Sequence, residues 1–231
     1  MTLKAEHMFI GGYIMNKYSK VLLTSIAAIT LSTTFLETPD LNINPLQETV
    51  VSAKAKQATL IPGSYKVGST ELKPGRYTIT STDGSSGNIS STPKRSLHGD
   101  SINEILGSET DYGQVPSVTA TLAKGDKVKI EGLTSASFTP VTKRNKKNTT
   151  TLATGFWVVG KDIKKGKYTV TPPDGQSGNF MVDPKSVFGD STNEVLGGDT
   201  DMSQVPKVNV KLHNGDKISI AGMTQVNFAK K

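Results

Sequence analysis

Residues 64–138 and 156–228 can be laid on each other with two single-residue gaps, and about half of the paired positions carry the same residue. Val67-Gly68 answers Val159-Gly160, and Gly75-Arg76-Tyr77-Thr78-Ile79-Thr80 answers Gly166-Lys167-Tyr168-Thr169-Val170-Thr171. Further along, Gly99-Asp100-Ser101 returns as Gly189-Asp190-Ser191 and Gly125-Asp126-Lys127 as Gly215-Asp216-Lys217. The period is too long for a solenoid or a propeller blade. It implies two similar domains, 62–140 and 156–231, joined by residues 141–155.

Domains of this size bury only about 60–65% of their unfolded surface, so each has a small core. The chain has no cysteine, which removes disulfide staples, thiolate zinc sites and a cysteine nucleophile together. Packing must carry the stability. The net charge is +7, but its location argues against a nucleic-acid groove. Residues 62–140 balance to zero, residues 156–231 carry +2, and the connector carries +4 through Lys143, Arg144, Lys146 and Lys147. These four cations are candidates for contact with an anionic envelope polymer, against the alternative of a self-repelling soluble spacer.

The N-terminal stretch reads as an export signal. Lys17 and Lys20 form a basic cluster ahead of the apolar run Val21–Leu31, which is short for a membrane span, and Ala53-Lys54-Ala55 is an A-x-A cleavage pattern. Residues 1–55 are therefore expected to be removed, leaving a chain without a transmembrane span, secreted or held non-covalently at the cell surface. A retained anchor is the alternative.

Inside each copy the apolar period is two. Val118–Leu122 alternates, Ala123–Asp126 breaks the pattern, and Lys127–Ile130 alternates again, which predicts a hairpin. Val208–Leu212 and Lys217–Ile220 write the same hairpin in the second copy. Strands are expected also at Arg76–Thr80, Gly87–Ser91, Tyr65–Gly68, Ile102–Leu106 and Ala136–Val141. A short helix capped by Asp100 over Ser101–Leu106 is the alternative there. About seven short strands per copy, separated by glycine-rich turns, imply an all-β fold of two small β-sandwich or jelly-roll domains. The polar, like-charged connector 141–155 should be extended and mobile.

A catalytic centre is hard to assemble from these residues. His98 and His213 occupy different positions in the repeat, facing Phe188 and Ala123, and any serine triad drawn from sequence is arbitrary. The acidic cluster is the best candidate for a site. Asp100, Asn103, Glu104, Glu109 and Asp111 recur as Asp190, Asn193, Glu194, Asp199 and Asp201, supplying hard oxygen ligands of the kind Ca²⁺ takes. The competing reading is turn chemistry, in which Asp and Asn accept backbone N–H bonds. Tyr65 aligns with Trp157, the only tryptophan; these rings are candidates for stacking on a sugar. Tyr77, Tyr168, Phe138 and Phe228 are expected in the core.

Gly63-Ser64-Tyr65-Lys66-Val67-Gly68, Leu72–Ile79 and the run from Leu122 through Gly125-Asp126-Lys127-Val128 resemble the "Y-x-V-G-x-D-I-x-x-G-x-Y" modules of secreted and cell-surface proteins of Gram-positive bacteria. Val159–Tyr168 is similar, while the first copy writes Ser69-Thr70-Glu71-Leu72 where the pattern has x-D-I. The resemblance implies an exported all-β module of unassigned activity, with no catalytic residues to carry over; no cofactor is expected. Taken together, the sequence points to a binding protein whose partner is an envelope polymer, a glycan or a surface protein. A purely structural interaction module and a secreted hydrolase are the alternatives.

Overall fold

The computed structural model describes residues 55–95, 98–144 and 149–231. The segment expected to direct export, up to residue 54, and the candidate cations Lys146 and Lys147 lie outside the described residues. All described residues belong to one compact unit, Val50–Lys231. The fold is all-β.

The first copy contributes β1 (Ala58–Leu60), β2 (Gly63–Lys66), β3 (Gly75–Ser81), β4 (Gly87–Thr92), β5 (Asn103–Leu106), β6 (Val118–Leu122), β7 (Lys127–Glu131) and β8 (Ala136–Pro140). They form two four-stranded antiparallel sheets, β1-β8-β3-β6 and β2-β7-β4-β5. The second copy contributes β9 (Thr151–Val158), β10 (Gly166–Thr171), β11 (Gly178–Asp183), β12 (Thr192–Leu196), β13 (Val208–Leu212) and β14 (Lys217–Lys230). Here single strands serve both sheets. The early part of β14 pairs with β11 and with the end of β9; after a register shift between Ile220 and Gln225, its later part pairs with β10 and the start of β9. With β13 on β10 and β12 on β11, the strand order of the first copy is reproduced.

Each copy has its own hydrophobic cluster. The first is built on Tyr77, Ile79, Ile89, Leu106, Leu122, Ile130 and Phe138, the second on Tyr168, Val170, Phe180, Leu196, Ile218, Ile220 and Phe228. In β3, β5, β7, β10 and β11 every other residue is turned inward, so burial follows the period of two; in β6 Thr119 is buried as well, where β9 crosses it. Tyr77 meets Phe138 edge-on with centroids 6.0 Å apart, and Tyr168 meets Phe228 at 5.7 Å, a favoured aromatic geometry. Each tyrosine hydroxyl donates to a carbonyl, Tyr77 to Lys73 at 2.8 Å and Tyr168 to Lys164 at 2.9 Å.

The expected hairpins are not formed. β6 bonds to β3 while β7 bonds to β2 and β4, so the connection Ala123–Asp126 crosses from one sheet to the other. Asp126 holds that crossing: its buried carboxylate accepts the Ala123 N–H at 2.7 Å and the Lys94 N–H at 2.8 Å. Asp216 does the same for His213 at 2.7 Å and Lys185 at 3.1 Å. The helix alternative over Ser101–Leu106 is not adopted either. The Ser91 hydroxyl accepts the Ile102 N–H at 2.9 Å and donates to the Asp100 carbonyl at 2.6 Å, feeding the chain into β5.

Candidate functional site

β9 lies parallel to β6, with Thr119 opposite Gly155, and this crossing joins the two copies into a ten-stranded sheet. A Cβ on Gly155 would sit 2.2 Å from the Thr119 carbonyl oxygen, and its φ of +131° is itself unfavourable to other residues. Only glycine lets the two backbones approach this closely.

Arg76, on β3, projects across the crossing. Its guanidinium donates to the Phe156 carbonyl and, at 3.3 Å, to the Thr121 hydroxyl. It lies 5.1 Å from the centroid of the Trp157 ring and 4.0 Å from the Asp162 carboxylate. Asp162 is also gripped by Arg144 through a forked pair of bonds, one of them Nε to Oδ1 at 2.6 Å, and accepts the Val158 N–H at 2.7 Å. The Asp162 side chain is only 5% exposed. Burial lowers the Arg76 pKa, and the Asp162 charge opposes that shift. At the other side of the seam, the buried Glu104 carboxylate accepts the Gly222 N–H at 3.2 Å. Burial pushes its pKa up to about 7, against the smaller opposing effect of that hydrogen bond.

The sequence candidates distribute themselves around this seam. Trp157 is not an open platform for a sugar: Arg76 covers one face and its indole N–H donates to the Ala153 carbonyl at 2.8 Å. Tyr65 is half-buried and donates its hydroxyl to the Ile61 carbonyl at 2.9 Å. Arg144 belongs to Asp162, and β9 begins at Thr151, inside the stretch expected to be a mobile linker. Lys143 is exposed.

The acidic candidates do not converge. Among the described residues no group of three or more His, Cys, Asp or Glu is placed to hold a metal ion. Asp100 accepts the Thr121 N–H at 2.7 Å, and its pKa is raised by burial against that bond and the Arg76 charge. Asn103 accepts from the Asn88 amide at 3.2 Å. Glu109 and Asp111 are exposed, as are Asn193 and Asp201, while Asp199 turns its carboxylate onto the Asp201 and Met202 N–H groups. Only Asp199 shows turn chemistry within its own loop; Asp100 bonds the neighbouring strand β6 and Glu104 reaches the other copy.

At the far end of the long sheet, β13 pairs, among the described residues, only with β10. A cleft of about 250 Å³ opens beside it, lined by Lys167, Tyr168, Asp190, Asn209, Lys211 and Lys231 among others. Three ammonium groups, one carboxylate and an open strand edge suit it to bind a polar, extended chain. A second, polar cleft of about 450 Å³ lies among the turns at Thr171–Gln176, Gly197–Gly198 and Asn227.

The residues that make the seam, Arg76, Asp162 and Gly155, were not singled out by sequence reasoning. Their signal lay in the repeat itself: Arg76 faces Lys167 and Asp162 faces Glu71, so the charge is kept at both positions while the residue changes. Val187 and Phe188, 92% and 95% exposed in the turn after β11, were also missed. No protein-family model, no curated protein and no solved structure matches this chain.

Proposed function

We propose that the chain is an exported, non-catalytic binding protein of the cell envelope, and that its working surface is the β13 edge with the cleft beside it. One observation supports this reading. The equivalent edge of the first copy, β6, already receives a strand, β9, so the fold contains a strand-receiving edge and repeats it at its far end. The partner class is an extended polypeptide segment of a surface protein, which gains backbone hydrogen bonds along the edge while lysines select for acidic side chains. Export rests on the basic cluster, apolar run and A-x-A pattern ahead of residue 56, and on the likeness to secreted modules.

The glycan reading has weaker support, because Trp157 is committed to Arg76 and the Tyr65 hydroxyl to a local carbonyl. The two separate on isolated cell envelopes. Retention should be lost after protease treatment of the envelopes and survive enzymatic digestion of their glycan. The reverse pattern would overturn the polypeptide reading. Lys167→Glu together with Lys211→Glu should abolish retention, since both side chains are exposed and contribute to neither core.

A further inference from the structure

We infer that the partner for the β13 edge is a second copy of this chain, docked head to tail by the same contacts that join the two copies within one chain. The inference rests on the reading of β13 as the working surface and names what it holds. Its ground is that the backbone crossing, the cation and the carboxylate it faces, the ring and the Glu104–Gly222 contact each have a counterpart on the two outer ends; the Thr121 hydroxyl, where Lys211 stands, and Arg144 do not.

On the receiving side, the β6 residues Val118–Leu122 correspond to the β13 residues Val208–Leu212, which places Asn209 where Thr119 stands. The likeness extends to support: Thr78 bonds Thr119 at 3.0 Å, and Thr169 bonds Asn209 at 2.9 Å. Arg76 becomes Lys167, and Glu104 becomes Glu194. Val141 donates its N–H to the Arg76 carbonyl at 2.9 Å, and Lys231 donates to the Lys167 carbonyl at 3.0 Å. The backbone frame is the same at both edges.

On the inserting side, Gly63 stands where Gly155 does. Gly155 lies against the Thr119 backbone, whereas an added Cβ on Gly63 would meet only the ring of Tyr65. Tyr65 replaces Trp157, and Gly132 (φ +77°) replaces Gly222 (φ +74°). Glu71 replaces Asp162: each directly precedes a fully buried residue, Leu72 or Ile163, whose carbonyl accepts the N–H of Gly68 or Gly160 at 2.7 Å. Among the described residues, β1 pairs only with β8 and β2 only with β7.

Superposing one joint on the other therefore sets Lys167 against Glu71 and Tyr65 of the next molecule, Asn209 against its Gly63, and Glu194 against its Gly132 amide. The signs of charge match at each point. Lysine for arginine and tyrosine for tryptophan lose the fork geometry and the larger ring, so the outer joint is weaker than the inner one. The joint is heterologous, so each molecule keeps one end of each kind and growth continues past the dimer.

Sedimentation velocity of the purified chain tests this. The inner joint operates at an effective concentration in the mM range, so the free chain is followed up to about 1 mM, where association should appear and pass beyond the dimer. Lys167→Glu and Glu71→Lys, both at exposed positions, should each weaken association about tenfold by opposing like charges, and the double variant should restore it. A chain that stays monomeric throughout that range, or association unmoved by either variant, overturns the inference. Envelope retention measured at nM chain keeps the two readings apart. Retention by a chain that does not self-associate leaves the binding function standing without this partner, whereas self-association without retention removes the envelope partner and leaves the head-to-tail joint.

Discussion

Asp162 accepts bonds from Arg144 and the Val158 amide and faces Arg76, in a place water scarcely reaches. Asp162→Asn would leave the more exposed Arg144 unpaired and the mostly buried Arg76 with Asp100 as its remaining counter-charge. Breaking a fully buried pair from one side costs about 3–5 kcal/mol, so urea denaturation should show a loss below that range. Asp126→Asn should cost less, because one oxygen remains to accept the Ala123 or Lys94 N–H and no cation is stranded. Glu104 gives a pH dependence of defined sign. Its carboxyl titrates near about 7 in the folded chain against an ordinary 4.5. Between those values the folded state holds more protons than the unfolded state, so stability falls as pH rises through that window and levels off above it. The loss is on the order of 3 kcal/mol at most. The slope should be smaller in Glu104→Gln, as read by denaturation midpoints at pH 4.5 and 7.5.

At the scale of elements, the crossing of β6 and β9 depends on Gly155, and Gly155→Val would drive a side chain into the Thr119 backbone. The two copies should then come apart without either core melting. Small-angle scattering should report a longer particle, while circular dichroism keeps its β signature. How far the strands could be read from sequence follows from the same geometry. Alternation in Val118–Leu122 and Lys127–Ile130 announced which side chains face inward, and Leu122, Val128 and Ile130 are indeed buried. It could not announce their partners. Two strands that face the same core from opposite sheets alternate just as two strands of one hairpin do, and the difference lies in Asp126, whose carboxylate bonds Lys94 far away in sequence. The seam was hidden for a related reason. Comparing the copies draws the eye to identical residues, which build each sandwich, whereas Arg76 and Asp162, which join them, sit where the copies differ. The acidic run likewise promised a shared site, but its members part: Asp100 bonds the Thr121 amide of β6, Asn103 the Asn88 amide of β4, and Asp199 its own turn.

For the whole molecule, two cores of modest size are linked by one ion cluster, one backbone crossing and the hydrogen bond from the Gly222 N–H to Glu104. The described chain should therefore melt in a single calorimetric transition, and Asp162→Asn should split it in two. The construction of the second copy carries a further consequence. β14 runs without interruption from Lys217 to Lys230 and backs both of its sheets, whereas in the first copy β7 and β8 are separate pieces with residues 132–135 between them. Opening either layer of the second copy means lifting the same rod, so amide deuterium uptake there should be uniformly slow. In the first copy the short β1 and its neighbour β8 can fray while β2 and β7 stay closed, and their amides should exchange first. Heating would then loosen this molecule from its N-terminal half inward.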